Sequence, residues 1–276
     1  MLPAFFAGHC FGMRSSKGFG SFRCTERQPD LDNAYLRQFY GTFYYIDGLN
    51  PQTPKNTFDI IWVVSGMMKS GFNFTYKNPS DYYKGRLFRY FTVRGIGSDK
   101  AFIKQKVLPA PPGRCLDRND KESEENRRNP RYAYSRFVFS RAMLGLAPAY
   151  AFRSGPSTQR RGTVAVENGQ IKRFQSPVQF CAQGSRLYLM LREIPDKMFG
   201  AEFQFNNVPL RTPTERDFNL ISYLDYFMGQ FNTKDRPSPK DKTRITGFNH
   251  PAFSSIQSLT IQKSNSPNAE GGAPRA

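Results

Sequence analysis

Glycines, cations and hydroxyl groups are interspersed near the amino terminus of this chain, in the stretch GHCFGMRSSKGFGSF at residues 8–22. Glycine permits positive φ angles and the close approach of another backbone, and consecutive amides can line a concavity that binds anions. Arg14 and Lys17 add two positive charges to the same short segment. The stretch therefore predicts a glycine-rich loop that contacts phosphate and leads into a strand over Phe19–Cys24.

Two nucleotide-binding patterns do not fit this loop. A P-loop has its lysine directly after a glycine, whereas Lys17 precedes Gly18 here. A dinucleotide-binding loop opens a helix, whereas the residues after this loop predict a strand. Residues 17–20 (Lys-Gly-Phe-Gly) match the first half of an RNA-recognition-motif signature, but Ser21 replaces its next aromatic residue. The loop alone leaves two alternatives open, which are RNA contact and a tight glycine turn between strands.

The composition favours a polyanionic partner. The 276 residues include 40 Lys and Arg against 22 Asp and Glu, which gives a formal charge of +18 and a pI near 9.9. Neutralising phosphates with such cations releases counterions and drives association. Aromatic residues reach 15%, which suits base stacking and β-rich cores equally well.

Cysteine spacing and hydropathy argue against metal, disulfide and membrane classes. The four cysteines form no Cys-x-x-Cys pair and have no zinc-ligand spacing, so no cofactor is predicted and the thiols are expected to be reduced in a cytoplasmic protein. The longest apolar run, over 60–64, is too short to cross a bilayer.

Residues 11–22 resemble the glycine-rich loop of the RAMP superfamily of CRISPR-associated proteins. The form closest to this sequence is Gly-x-Arg-Ser-x-Lys/Arg-Gly-Phe-Gly-Ser, found in RNA-binding subunits of type III (Cmr-type) effector complexes. Residues 172–180 (KRFQSPVQF) are similar to an Arg-x-x-Ser-Pro segment of the same proteins. The resemblance implies CRISPR RNA or target RNA and other effector subunits as partners. It implies RNA contacts at Gly12, Arg14, Ser15, Lys17, Gly18, Gly20, Arg173 and Ser176.

The element pattern predicts an α+β chain. A strand over Phe39–Ile46 is followed by a helix that begins at Asn56 or Thr57 and ends near Ser70, which is the opening of a ferredoxin-like unit. Asn168-Gly169, between two alternating runs, predicts a two-residue type I′ hairpin. Further strands are predicted over Val178–Ala182 and Leu187–Arg192. Thr214 is expected to cap a last helix over Glu215–Phe231.

The fold class that follows, with the resemblance, is a ferredoxin-like (RRM-like) RAMP domain with a helical basic insertion. The end of a first RAMP-like domain is expected at 1–37, the second domain at 38–253 with its insertion at about 78–135, and a disordered tail at 254–276. Residues 81–161 hold 18 Lys and Arg against 7 Asp and Glu, so the insertion carries much of the charge. The loop normally comes late in such domains, which suggests an upstream portion that is missing or encoded separately.

The leading hypothesis is a non-catalytic RNA-binding subunit of a type III CRISPR effector, acting in antiviral defence. A metal-independent CRISPR-RNA endoribonuclease is one alternative, with His9 or His250 as its catalytic residue, because histidine suits proton transfer near neutral pH. The other alternative is a basic subunit that docks to another protein without touching RNA.

Overall fold

The structure is a computed structural model that describes residues 5, 9–10, 33–50, 53–73, 82–108, 134–153, 160–233 and 256–264. Its strands are β1 (Tyr44–Asp47), β2 (Phe72–Asn73), β3 (Tyr82–Tyr83), β4 (Ile96–Ser98), β5 (Arg136–Val138), β6 (Ala149–Arg153), β7 (Arg160–Glu167), β8 (Val178–Gln183), β9 (Arg186–Leu191), β10 (Glu202–Phe205), β11 (Val208–Arg211) and β12 (Ile261–Lys263). Its α-helices are α1 (Asn33–Tyr40), α2 (Pro54–Met68), α3 (Arg86–Thr92), α4 (Asp99–Phe102) and α5 (Leu220–Asn232). The prediction of an α+β chain is confirmed.

The first sheet has four strands in the order β12-β1-β9-β8, and every neighbouring pair is antiparallel. Along the chain, α2 follows β1, and α5 lies between the β8–β9 hairpin and β12. Both helices pack on one face of this sheet. The hydroxyl of Tyr44 in β1 donates to Asp225 Oδ1 of α5 at 2.7 Å, and that of Tyr223 in α5 donates to the Met68 carbonyl of α2 at 2.6 Å.

The second sheet has the order β11-β10-β7-β6 and is also antiparallel. Strands β6 and β7 come from the segment between α2 and β8, whereas β10 and β11 come from the segment between β9 and α5. Phe139 packs edge-on against Phe205 of β10, with ring centroids 4.8 Å apart. These rings belong to the same apolar cluster as Tyr44 and α2, so the two sheets share one core.

The outer edge of β12 is closed by a side chain of α5. The Asn232 amide donates to the Ile261 carbonyl at 2.8 Å and accepts from the Ile261 amide at 3.0 Å. One carboxamide thus replaces a neighbouring strand at this position, which removes a site for edge-to-edge association.

Three sequence predictions place element boundaries wrongly. Phe39 and Tyr40 end α1, and β1 begins only at Tyr44, after Gly41 with φ +61°. Helix α2 begins at Pro54, at the first helical position, where the missing N–H of proline has no cost. Helix α5 begins at Leu220, because the Asn219 side chain caps it through the Ser222 amide at 2.9 Å.

The predicted Asn168-Gly169 hairpin is wrong. Residues 170–176 form no strand, and β7 pairs instead with β6 and β10. The Asn168 side chain accepts from the amides of Gln170 and Ile171, at 2.8 and 2.7 Å, which turns the chain away from β7. The two-residue turn with positive φ at both positions is Asn206-Asn207, at 47° and 67°, between β10 and β11.

Among the described helices, none has the length and apolar character that crossing a bilayer requires.

Candidate nucleic-acid interface

The second face of the first sheet, here called the aromatic face, also carries a cluster of buried apolar side chains. Strands β1 and β9 carry large side chains at successive positions, and alternate residues point to opposite faces. The buried side chains of the aromatic face are Phe43, Tyr45, Cys181, Tyr188 and Met190. Tyr45 and Tyr188 lie on the two central strands, with ring centroids 6.3 Å apart.

The chain's own amino-terminal residues cover this face. Leu36 of α1 and Cys10 belong to the same buried cluster, and the Cys10 thiol donates to the Phe180 carbonyl of β8 at 3.3 Å. The rings of Tyr45 and Tyr188 are consequently only 2% and 3% exposed. RNA-recognition motifs stack bases on aromatic rings of a four-stranded sheet. In this structure those two rings are internal and are not available to a base.

Arg186 lies at the border of this cluster and is partly exposed. Its Nε donates to Asp47 Oδ1 at 2.5 Å, its Nη1 donates to Asn33 Oδ1 at 3.3 Å, and its guanidinium lies 4.7 Å from the Tyr45 ring centroid. Burial opposes the charge, but the hydrogen bonds and charge interactions with Asp47 and Tyr188 together outweigh it and raise the pKa of Arg186 above its usual value. This cation is already neutralised within the protein, so it is a poor candidate for binding phosphate.

Arg173 and Ser176, both predicted as RNA-contacting residues, lie on one irregular segment that leads into β8. Lys172 and Arg173 are exposed, and within the described part of the chain no ion pair engages either of them. The Leu146 amide donates to the Phe174 carbonyl at 2.9 Å, and the Val178 amide donates to Ser176 Oγ at 3.3 Å. On the other side of the two cations, the Ile171 amide donates to Asn168 Oδ1 at 2.7 Å, so the backbone is held both before and after Lys172 and Arg173.

Gly145 makes a close approach to the same segment. Its φ is +105°, and a Cβ built on it would lie 3.1 Å from the Ser176 amide nitrogen. Its carbonyl also accepts a hydrogen bond from Lys69 Nζ, which bonds the Leu144 carbonyl at 3.1 Å as well. Sequence reasoning missed Gly145. The sequence does hold one sign of it. Gly145 directly follows a helical turn that ends at Leu144, and glycine is common at this position.

Arg192 is a second residue that sequence reasoning missed. Its amide donates to the Pro177 carbonyl at 2.8 Å, and its side chain is exposed. The predicted strand Leu187–Arg192 included it, but the sequence gives no sign that it lies beside Pro177, because that contact depends on the pairing of β8 with β9.

The histidine and glycine-loop predictions are covered only in part by the described residues. His9 Nδ1 lies 2.9 Å from the Phe5 carbonyl oxygen and 3.2 Å from the Tyr40 hydroxyl, and its ring stacks on Phe5. His250 lies outside the described residues, as do Gly12, Arg14, Ser15, Lys17, Gly18 and Gly20. In the described ranges, no group of three His, Cys, Asp or Glu side chains is arranged to hold a metal ion.

Comparison with known families identifies the chain. Residues 1–72 match the Cmr1 N-terminal domain, and residues 82–249 match the Cmr1 C-terminal domain. The protein is therefore a CRISPR-associated protein of the Cmr-type, type III class, as the resemblance of its two motifs predicted. Within that class it belongs to the Cmr1 family and is a subunit of a type III CRISPR effector, whose other subunits are its partners. No curated protein and no solved structure matches the chain.

Proposed function

We propose that this Cmr1 subunit binds CRISPR RNA or its target through phosphate contacts, in antiviral defence. The contacts are Arg173 and Ser176 on the segment before β8, together with Arg14, Lys17 and the backbone amides of the glycine-rich loop. The observation that carries the proposal is the exposure of Lys172 and Arg173 on a backbone that is held before them at Ile171 and after them at Phe174. Cations on a fixed backbone lose less conformational freedom when a phosphate binds than cations on a mobile backbone, so they bind it more tightly.

The order of elements supports a ferredoxin-like domain as the scaffold of this site. The sequence β1-α2-β8-β9-α5-β12 is a β-α-β-β-α-β unit, and its sheet places the fourth strand beside the first, and the third beside the second. Strand β8 is an edge strand in this arrangement. The segment that carries Arg173 therefore leads into an edge strand of the sheet.

The anchoring of Cys10 supports a single site formed by the segment and the loop. Cys10 is held against Phe180 and Cys181 of β8, and Gly12 follows it by two residues. Two residues span about 7 Å at most. Cys10, two residues before Gly12 in the sequence, therefore lies beside the same edge strand that Ser176 precedes.

Burial of Tyr45 and Tyr188 supports binding through the RNA backbone instead of base stacking on the sheet. Cations that contact phosphates carry no sequence information, whereas stacked or hydrogen-bonded bases do. We therefore expect RNAs of unrelated sequence to bind with similar affinity and with a steep dependence on salt.

The test is binding of fluorescently labelled single-stranded RNA to the full chain, by anisotropy, over a series of salt concentrations. Arg14→Ala with Lys17→Ala, and separately Arg173→Ala, should each weaken binding several-fold for every sequence. Each lost phosphate contact should reduce the slope of log K against log salt by about 0.7. Binding with a flat salt dependence, or binding unchanged by charge reversal at Arg14 and Lys17, would favour the subunit that docks to proteins without touching RNA.

The hydrogen bonding of His9 supports a second candidate function, that of a metal-independent endoribonuclease. When Nδ1 donates to the Phe5 carbonyl, the neutral ring keeps Nε2 as its proton acceptor, which is the arrangement of a general base. Incubation of the protein with repeat RNA in EDTA separates the two functions. Cleavage at a defined position that His9→Ala abolishes would establish the enzyme, and intact RNA would support the binding subunit.

A further inference from the structure

We infer that Arg192 is a further phosphate contact, so that the bound RNA crosses the start of the β8–β9 ladder beside Pro177. The inference rests on the proposed RNA-binding function and adds the direction in which the bound RNA runs across the protein. It places RNA between the segment that carries Arg173 and the side of the sheet on which Cys10 lies.

The backbone fixes the position of Arg192 relative to the segment. Val178 pairs with Leu191 in the β8–β9 ladder, and the Arg192 amide continues this pairing by donating to the Pro177 carbonyl at 2.8 Å. Residues directly opposite each other in antiparallel strands have Cα atoms about 4.5–5.5 Å apart. Arg192 thus stands next to the residue that follows Ser176.

The alternation of β9 assigns the side chain of Arg192 to the aromatic face. Tyr188 and Met190 are buried on that face, and Arg192 follows them at the same spacing of two residues. Its charge acts on Cys181, a member of the same face. Hydrogen bonding to Cys10 and burial raise the pKa of the Cys181 thiol, and the positive charge of Arg192 works against them. Cys10, from which the glycine-rich loop departs, contacts this face too.

The surroundings of Arg192 suit an anion. It is exposed, and no ion pair engages it within the described residues. The sequence from Asn168 to Arg192 contains no acidic residue, although it contains four basic ones. Glu193 follows beyond the end of β9 and is exposed. The segment and Arg192 therefore present three exposed cations, Lys172, Arg173 and Arg192, on a surface formed by a stretch of sequence without acidic residues.

This surface suits nucleic acid better than a protein. Protein interfaces are built around buried aromatic and apolar anchors. The large apolar side chains that are exposed in the described part of the chain are Phe5, Phe39, Trp62, Val93 and Ile221. None of them lies in the range 171–193, so the cations there lack an apolar anchor for a protein partner.

The experiment compares Arg192→Ala with a matched control, Arg216→Ala, in the full chain. Arg216 is exposed, with no ion pair in the described ranges, and it precedes α5, which packs on the other face of the sheet. The readout is the affinity for single-stranded RNAs of unrelated sequence between about 50 and 200 mM salt. Arg192→Ala should weaken binding several-fold for all of them and reduce the salt slope by about 0.7, whereas Arg216→Ala should not.

Arg192→Lys separates a phosphate contact from a structural role. Lysine binds phosphate as a point charge, so this variant should recover most of the affinity and the salt slope. Equal affinity and slope for Arg192→Ala and Arg216→Ala would overturn the inference. If Arg173→Ala and the loop variants still lowered the slope in that case, the proposed function would stand without Arg192. A chain that bound no RNA at all would overturn both.

Discussion

The thiol sulfur of Cys10 lies 3.3 Å from that of Cys181, which is 171 residues further along the chain. Both side chains are buried and are not joined by a disulfide. Their contact attaches the amino-terminal residues to β8, beside the segment that carries Arg173 and Ser176. The hydrogen bond with Cys10, followed by burial, raises the pKa of the Cys181 thiol far above its usual value. The thiol is therefore kept protonated.

Changing Cys181 to Ala should make Cys10 react faster with iodoacetamide. The substitution removes the sulfur that lies against Cys10 and opens space on the aromatic face, so local opening should become more frequent. The rate at each cysteine is measured by mass spectrometry of timed digests. Ser185→Ala, in the exposed β8–β9 turn, is the control and should leave the Cys10 rate unchanged. Equal rates in all three proteins would contradict the packing described for Cys10.

The sequence was sufficient for β8 and β9 of the first sheet, because their signal is local. The runs Val178–Ala182 and Leu187–Arg192 are apolar and bounded by turn residues, and β8 and β9 lie within one residue of them. The Asn168-Gly169 prediction failed because the strand pairing at this position depends on residues distant in sequence. Strand β7 finds its partners in β6 and β10, and the Asn168 side chain binds the amides that a hairpin would have used.

The residues of the candidate site also differ in whether their signal in the sequence is local or long-range. Arg173 was predicted from a resemblance carried by its own neighbours in sequence. Gly145 and Arg192 were missed because their importance arises from contacts with Ser176 and Pro177, which depend on packing and strand pairing. The covering of Tyr45 also depends on long-range contacts, since residues near both ends of the chain surround that ring.

Replacing Asp99 with Asn should strongly destabilise the fold. The Asp99 carboxylate is fully buried, accepts from Arg141 Nε at 2.5 Å and from Ser140 Oγ at 2.9 Å, and faces a guanidinium stacked 3.7 Å from the Tyr150 ring centroid. Removing one member of a buried ion pair costs about 3–5 kcal/mol. The free energy of unfolding in urea measures the loss.

The control for Asp99→Asn is Glu202→Gln. Glu202 pairs with Arg211 at 3.2 Å, but the two side chains are 46% and 72% exposed. Exposed pairs of this kind contribute about 1 kcal/mol or less. Similar losses for the two variants would show that the Asp99–Arg141 pair is not buried as described.

Replacing Asp217 with Asn should make stability less sensitive to acid. Burial works to raise the pKa of Asp217, but hydrogen bonds from the amide and hydroxyl of Thr214, at 2.9 and 2.7 Å, and the contact with Arg136 lower it below its usual value. The folded state therefore favours the carboxylate. Its contribution is present above the unfolded-state pKa of about 3.9 and is lost as the pH falls through the lower folded value.

Thermal melting between about pH 6 and pH 3 tests this expectation. The wild-type protein should lose more of its melting temperature than Asp217→Asn over that range. Glu215→Gln makes the same change in charge two residues away, at an exposed position, and should behave like the wild type. Parallel curves for wild type and Asp217→Asn would contradict the assignment of the shift to the Thr214 turn.

Replacing Gly145 with Ala should lower both stability and RNA affinity, since this glycine supports the segment that carries Arg173. Its φ of +105° is unfavourable for alanine, and the new Cβ would lie 3.1 Å from the Ser176 amide nitrogen. Backbone strain of this kind costs about 1–3 kcal/mol. Gly169→Ala is the matched control, because no atom lies within 4 Å of its Cβ position and its φ is not positive. If Gly145→Ala lost stability but kept the wild-type affinity and salt slope, RNA binding would not depend on the position of Ser176.

If Gly145→Ala lost affinity at a temperature where both variants are folded, the phosphate contacts would depend on the packing of this glycine.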